Sequence, residues 1–445
     1  MRFDLLVRGA TLVSGAGRSS GDLGVVGGRI EAVGELTHAT AETVLEAGGL
    51  VVLPGVIDSH VHLREPGSEH KEDLESGTRA AVLGGVTAVF EMPNTHPATT
   101  NAEALADKLR RAKGRTWCHH AFYVGATPDN AVELAALPHV DGLAGVKIFM
   151  GSSTGDLLVP DDEGLLRVLH AGTLPVAVHS EDEYRLRERM EMLAPTNVAL
   201  HPLIRDAECA RRGTERLLTL CGETRRAVHI LHVSTADELP LIAEAKRRGV
   251  PVTAEICPQH LIFAAPECYE RLGTLVQQNP PIRDAVHREA LRRALVEGLF
   301  DTVGTDHAPH LLSEKALPYP SSPSGMPGVQ TLVPAMLNLV AEGLLSIEQF
   351  VRLACEGPAR VFGASGRGAL EPGFAADFTI IDLDAVRLVE RPWLASRCGW
   401  SPYEGLRWRG WPIHTVVGGV VAMRDGELSG SPQGAPMPFR RLNTT

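Results

Sequence analysis

The chain has 445 residues, 44% of them apolar and 22% charged, with a formal net charge of −11 at pH 7. This balance supplies ample core and excludes a disordered polymer; with no Lys/Arg cluster interleaved with aromatics, it also excludes nucleic-acid and anionic-membrane partners. Seven cysteines with no C-x-x-C spacing point to buried thiols in a reducing compartment, and Met1–Arg8 lacks an export signal, so a cytoplasmic location is expected.

In chain order, Phe3, Leu5 and Val7 alternate with Asp4, Leu6 and Arg8, and the short apolar runs 23–26 and 30–33 flank Gly27-Gly28, which predicts antiparallel strands with tight turns. The same texture returns at 378–383 and 416–423, so both chain ends, 1–53 and 368–445, are expected to share a small β-sandwich domain. Between them, 54–367 alternates apolar runs with helical patterns, the signature of repeated βα units. Eight strands are predicted: Val56–His62, Thr87–Met92, Cys118–Phe122, Gly145–Phe149, Pro175–His179, Val228–Val233, Val252–Ile256 and Thr302–Asp306. Predicted helices include Lys71–Leu83, Asn101–Lys113, Ala236–Arg248 and Arg288–Leu295. A last helix starts at a capping box, Ser346 with Gln349, and shows Ile347, Phe350, Val351 and Ala354 on one face. Eight units predict an α/β fold with a closed (β/α)8 barrel; periodicity alone also permits a doubly wound sheet.

The chemistry-bearing residues fall at predicted strand ends. In Asp58-Ser59-His60-Val61-His62 the period of two turns both imidazoles to one side, as a metal pair requires. His179 ends strand five, His232 strand six and Asp306 strand eight, where a barrel builds its active site. Lys147 lies among apolar residues of strand four; one reading turns it outward to solvent. The other places it beside metal ions, where an ammonium is repelled but a lysine carbamylated by CO2 is an anion with two oxygens able to bridge two cations. Gly151-Ser152-Ser153-Thr154-Gly155 follows a strand without the GxxxxGK[ST] pattern, so it is read as a mouth-lining loop.

The order His60-x-His62, Lys147, His179, His232, Asp306 resembles the binuclear-metal branch of the amidohydrolase superfamily over nearly the whole chain. The resemblance implies that His60 and His62 hold one metal and His179 and His232 the other, with Lys147 bridging both as a carbamate and Asp306 touching the first. Two zinc ions suit the imidazole-rich set, with manganese or cobalt able to substitute. Around these residues His60-Val61-His62-Leu63-Arg64-Glu65-Pro66-Gly67 and Met92-Pro93-Asn94-Thr95 are similar to dihydroorotases, as are Asn279-Pro280-Pro281-Ile282-Arg283 and Asp306-His307-Ala308-Pro309-His310. The resemblance therefore implies a substrate carboxylate held by Arg64 and Asn94, with Asn279 and His310 also at the substrate. A guanidinium suits that task through two parallel charge-assisted bonds. Each residue also has a plainer reading: Arg64 paired with Glu65, Asn94 a turn former, Asn279 and His310 loop residues. Cys257-Pro258-Gln259-His260 departs from relatives with two adjacent histidines, and no role is carried to Gln259 or His260.

The implied reaction is reversible hydrolysis of L-dihydroorotate to N-carbamoyl-L-aspartate by a metal-bridged hydroxide, with Asp306 shuttling the proton and the 313–328 loop closing over the ring. An allantoinase or hydantoinase-like cyclic amidase shares the metal set, and a non-catalytic structural partner of another enzyme is the reading of a different class. The partner implied is a small-molecule substrate and, at family level, a second copy in a homodimer.

Overall fold

A computed structural model describes residues 1–153 and 157–440, so Thr154 and Gly155 of the expected mouth loop lie outside the described residues. The chain opens with strands β1 (Arg2–Ser14), β2 (Gly17–Val26), β3 (Arg29–Gly34), β4 (Thr40–Glu46) and β5 (Val51–Pro54). Eight further strands follow: β6 (Val56–Val61), β7 (Val86–Glu91), β8 (His119–Gly125), β9 (Leu143–Phe149), β10 (Val176–His179), β11 (Val228–Ile230), β12 (Val252–Ile256) and β13 (Thr302–Val303). The chain returns through β14 (Phe378–Leu388), β15 (Arg407–Val417), β16 (Val420–Arg424) and β17 (Glu427–Leu428).

Strands β6 to β13 pair in parallel in sequence order. Past β13, His307 bridges Val61, and the His62 N–H donates to the His307 carbonyl at 2.6 Å, so the last strand meets the first. A doubly wound sheet would reverse its order midway; this one runs round into a barrel. Its strands are buried on both faces, as a parallel sheet under helices requires.

The helices start where short polar side chains can satisfy their first free N–H groups. Asp73 caps Leu74–Leu83, Asn101 caps Ala102–Ala112, Asp206 caps Ala207–Thr224 and Asp284 caps Ala285–Val296. The helix expected from Ala236 begins at Leu239, because Glu238 folds back to accept from the Ser234 and Thr235 N–H groups. The Ser346–Gln349 capping box is formed, and the helix it opens, Ile347–Val351, passes through a wide π turn at Arg352–Glu356.

Two strands are shorter than their apolar runs predict. β11 stops at Ile230 instead of Val233, and β13 at Val303 instead of Asp306. The diverted hydrogen bonds give the reason. Thr305 donates its N–H and its hydroxyl to the buried Asp58 carboxylate (3.1 and 2.5 Å), and its carbonyl accepts from Gln259 Nε2 (2.8 Å). His232 and Asp306 then take positive φ values of 39° and 51°, which interrupt the ladder; pairing resumes beyond them, at Val233 and His307.

The strands of both chain ends form a separate nine-stranded sheet, ordered β17-β16-β15-β14-β5-β1-β2-β3. The remaining strand, β4, pairs in parallel with β1 over Arg2–Arg8, and β5 pairs in parallel with Thr11 and Leu12 of β1 and antiparallel with β14. The apolar core of this sheet gathers Leu5, Val7, Leu23, Val52, Phe378 and Val416. All seven cysteines are buried and unpaired. Among the described residues no helix is long and apolar enough to cross a membrane.

Candidate active site and metal centre

His60 lies on β6 and His62 one residue past its end, and both rings turn to the same carboxylate. Asp306 Oδ1 is 3.2 Å from His60 Nε2 and 3.0 Å from His62 Nε2. Their other nitrogens are tethered: His60 Nδ1 to Glu255 Oε1 at 2.7 Å and His62 Nδ1 to Asn94 Oδ1 at 2.7 Å. Across the barrel mouth, His179 Nδ1 and His232 Nε2 stand 3.0 Å apart. His179 Nε2 is 3.0 Å from Glu181 Oε2, outside hydrogen-bonding geometry, and Glu181 is gripped by Arg205.

Four imidazoles and a carboxylate thus converge in a space largely walled off from the surface, and ligand atoms of His60, His232 and Asp306 all lie within 4.8 Å of one another. Nitrogen and oxygen donors so arranged fit a transition-metal ion such as zinc. Lys147, on β9, is 1% exposed, with Nζ 4.5 Å from the Phe149 ring centroid, so it points inward and the outward reading falls away.

Burial dominates the electrostatics. It lowers the Lys147 ammonium to about 7 despite the opposing pull of Asp306 and Glu255, which makes a neutral, CO2-reactive amine accessible near neutral pH. Burial lowers His62 to about 4, holding it as a neutral donor, and pushes His179 and His232 down as well. For His60 burial acts downward, but the Glu255 and Asp306 carboxylates outweigh it and raise the group to about 9. Burial also opposes the charge on Asp306, yet His60 and His62 keep it well below the usual carboxylate range.

Beside this cluster sits Arg64, 6% exposed, at a φ of 64°. Its Nε donates to the Pro309 carbonyl at 3.0 Å, and Nη2 lies 3.1 Å from His310 Nε2. The plainer pairing with Glu65 is not made: Glu65 is taken by Arg115, at 2.7 and 3.1 Å. Among the described residues no carboxylate forms an ion pair with Arg64; burial lowers it to about 10 against the more distant pull of Asp306, Glu91 and Glu314, so it stays charged at neutral pH. His310 is buried too, and burial, with Arg64 and Lys71 beside it, keeps its ring neutral. Asn279 stands apart from these groups. It bonds His201 Nε2 (3.1 Å) and Ser153 Oγ (3.5 Å) in the wall of a cavity of about 290 Å³ shared with Arg205 and Tyr319.

Sequence reasoning missed Glu255, Asp58 and Glu181. The available signal was a lone acid within an apolar strand, Val252-Thr253-Ala254-Glu255-Ile256. The roles left open for Gln259 and His260 are now visible: Gln259 bonds the Thr305 carbonyl and Gln278, which in turn donates to His260, so the pair braces the segment leading to Asp306. The 313–328 segment, expected to close as a loop, is pinned by buried Lys315, whose Nζ donates to the carbonyls of Gln277, Pro323 and Gly325.

A barrel with this histidine-rich centre at the carboxyl ends of its strands defines a metal-dependent hydrolase of the cyclic amidohydrolase class. The chain belongs to the amidohydrolase family, whose model matches residues 51–422. It is 38% identical to a dihydroorotase of Pelotomaculum thermopropionicum, across 95% of this chain and 99% of that protein. An allantoinase of Deinococcus radiodurans is 35% identical across 99% of this chain and all of that one. Among solved structures, the L-hydantoinase (dihydropyrimidinase) of Arthrobacter aurescens superposes with a TM-score of 0.95 at 30% identity, covering 98% of this chain and 100% of that one.

Proposed function

We propose that the chain is a dihydroorotase, interconverting L-dihydroorotate and N-carbamoyl-L-aspartate at a centre of two zinc ions. The observation that carries the substrate assignment is Arg64, a buried guanidinium with no carboxylate of its own among the described residues. A buried charge with no directly paired carboxylate is costly, and because Arg64 stands beside the metal-centre cluster an anionic ring substituent would suit it. The ring carboxylate of dihydroorotate meets that need, whereas allantoin and dihydrouracil bring none.

In this reading His60, His62 and Asp306 would hold one zinc and His179 and His232 the other, with Lys147, once carbamylated, as a shared ligand. When bound, the ions supply Lewis acidity and make water nucleophilic near neutral pH. Asp306, held ionised by two imidazoles, accepts the proton of the attacking water and passes it to the ring nitrogen as the C–N bond breaks. Arg64 and Asn94 receive the substrate carboxylate while Asn94 also holds the His62 ring, and His310 stands beside Arg64; Asn279, in the neighbouring cavity wall, takes no part in holding the carboxylate. Run backwards, the same groups close the ring and release water.

The test is turnover of L-dihydroorotate, allantoin and dihydrouracil by the zinc-loaded protein, with Arg64→Ala as control. Dihydroorotate should be preferred, chelation should abolish turnover, and Arg64→Ala should lower kcat/KM for dihydroorotate by about 2–5 kcal/mol of transition-state binding. Preference for a neutral ring refutes the substrate assignment and favours the allantoinase or hydantoinase reading.

A further inference from the structure

Strand β12 carries a single charged side chain, Glu255, which is 0% exposed. One of its oxygens, Oε1, accepts from His60 Nδ1 at 2.7 Å and from the His232 N–H at 3.1 Å. It therefore joins a histidine on the first barrel strand to the backbone of another, two residues past the sixth. Room for the carboxylate comes from Gly304, where a Cβ would collide with Glu255 Oε2 and sit 3.1 Å from His60 Cβ. Oε2 itself makes no hydrogen bond among the described residues and lies 4.0 Å from His229 Nε2. An amide or an apolar side chain would fill this space without a buried charge.

The geometry points to Glu255 as a positioning residue that sets the tautomer and aim of His60 and locks it to the His232 segment. Once a cation displaces the Nε2 proton, Glu255 would keep the remaining proton of His60 on Nδ1 and so leave the lone pair on Nε2, the atom turned toward Asp306. A carboxylate behind a ligating histidine also raises its basicity, and loss of such a partner costs about 10- to 100-fold in metal affinity. Glu255 does not touch substrate, so its effect reaches the reaction only through the two histidines. The inference rests on the metal-centre reading above.

The experiment compares the full-length wild type with Glu255→Gln and Glu255→Met. Each is stripped by dialysis against a chelator and titrated with zinc in competition with a chromogenic chelator, then with Co2+ to read the visible ligand-field bands. Glu255→Gln keeps an acceptor behind His60 but no charge, and should bind zinc about tenfold more weakly; Glu255→Met keeps neither, and should fall about 100-fold. The Co2+ bands should shift in the same order, while the metal-free unfolding temperature of Glu255→Gln stays at or above that of wild type. Should Glu255→Met fail to fold, the isosteric glutamine variant decides. Wild-type zinc affinity and unshifted bands in Glu255→Gln, with either no loss or no fold in Glu255→Met, overturn the positioning role. A wild type that takes up no zinc overturns the metal centre itself, a separate and visible failure.

Discussion

The two ends of the barrel are built on opposite terms. At the carboxyl ends of the strands four histidines, a lysine, an aspartate and an arginine are buried together, and Arg64, His232 and Asp306 hold positive φ values that L-residues rarely adopt. At the amino ends the interior is closed by rings: Phe90 packs edge-on to Phe362 at 5.4 Å and to Phe439 at 5.5 Å. The C-terminal tail runs across the starts of β8 and β9, bonding His120 and Gly142 through Met437. Some charges there are held by opposite charges, while among the described residues buried Arg226 meets only the Gly172 and Leu174 carbonyls. Asp301 accepts from Lys246 (2.5 Å), Arg360 (3.1 Å) and the Ala254 N–H (3.0 Å), whereas Arg64 at the other end has no carboxylate within ion-pair distance among the described residues. Left-handed backbone and convergent ionisable groups thus mark the end where substrate enters, and packed rings the end where nothing reacts.

The contrast predicts that substitutions at the top change rate and those at the bottom change stability. The largest effect belongs to Asp306→Asn, which removes the proton acceptor and should lower kcat by about 100- to 10,000-fold while the unfolding temperature moves by only about a few degrees. A comparable loss of stability would place Asp306 with the structural residues and break the comparison. Next is Met437→Ala, which empties a fully buried site under the barrel and should cost about 2–5 kcal/mol in denaturant unfolding with KM unchanged.

Asp301→Asn sharpens the contrast through pH. Burial opposes the Asp301 charge, but Lys246, the Ala254 N–H and Arg360 hold its carboxyl below the ordinary value in the fold. The unfolded chain then binds more protons as pH falls from neutrality, so this carboxylate stabilises above the unfolded value of about 3.9 and loses that contribution as pH drops through the folded one. The variant should be about 1–3 kcal/mol less stable at pH 7, with the gap narrowing in unfolding measurements toward pH 3. A gap independent of pH would show that its charge is not what the pocket holds. The smallest effect, about 1 kcal/mol, is expected for Ser346→Ala, which loses one helix cap far from either end's chemistry.

Much of the frame was legible in the amino-acid order, because the signals that carry it are local. Period-two spacing put His60 and His62 on one side, apolar runs marked eight strands, and Ser346 announced a helix start three residues from the Gln349 N–H it caps. Long-range pairing lay beyond such signals. That Thr305 bonds Asp58 and so ends β13 early depends on residues 247 apart, and that Glu255 backs His60 on residues 195 apart. Likewise the sequence could name Arg64 but not show whether Glu65 neutralised it; the turn at φ 64° and the grip of Arg115 on Glu65 decided that. Sequence spacing determines which side chains share a face over a few residues. Only closure of the barrel determines which faces meet, and hence which buried charges are already paired and which are left for a ligand.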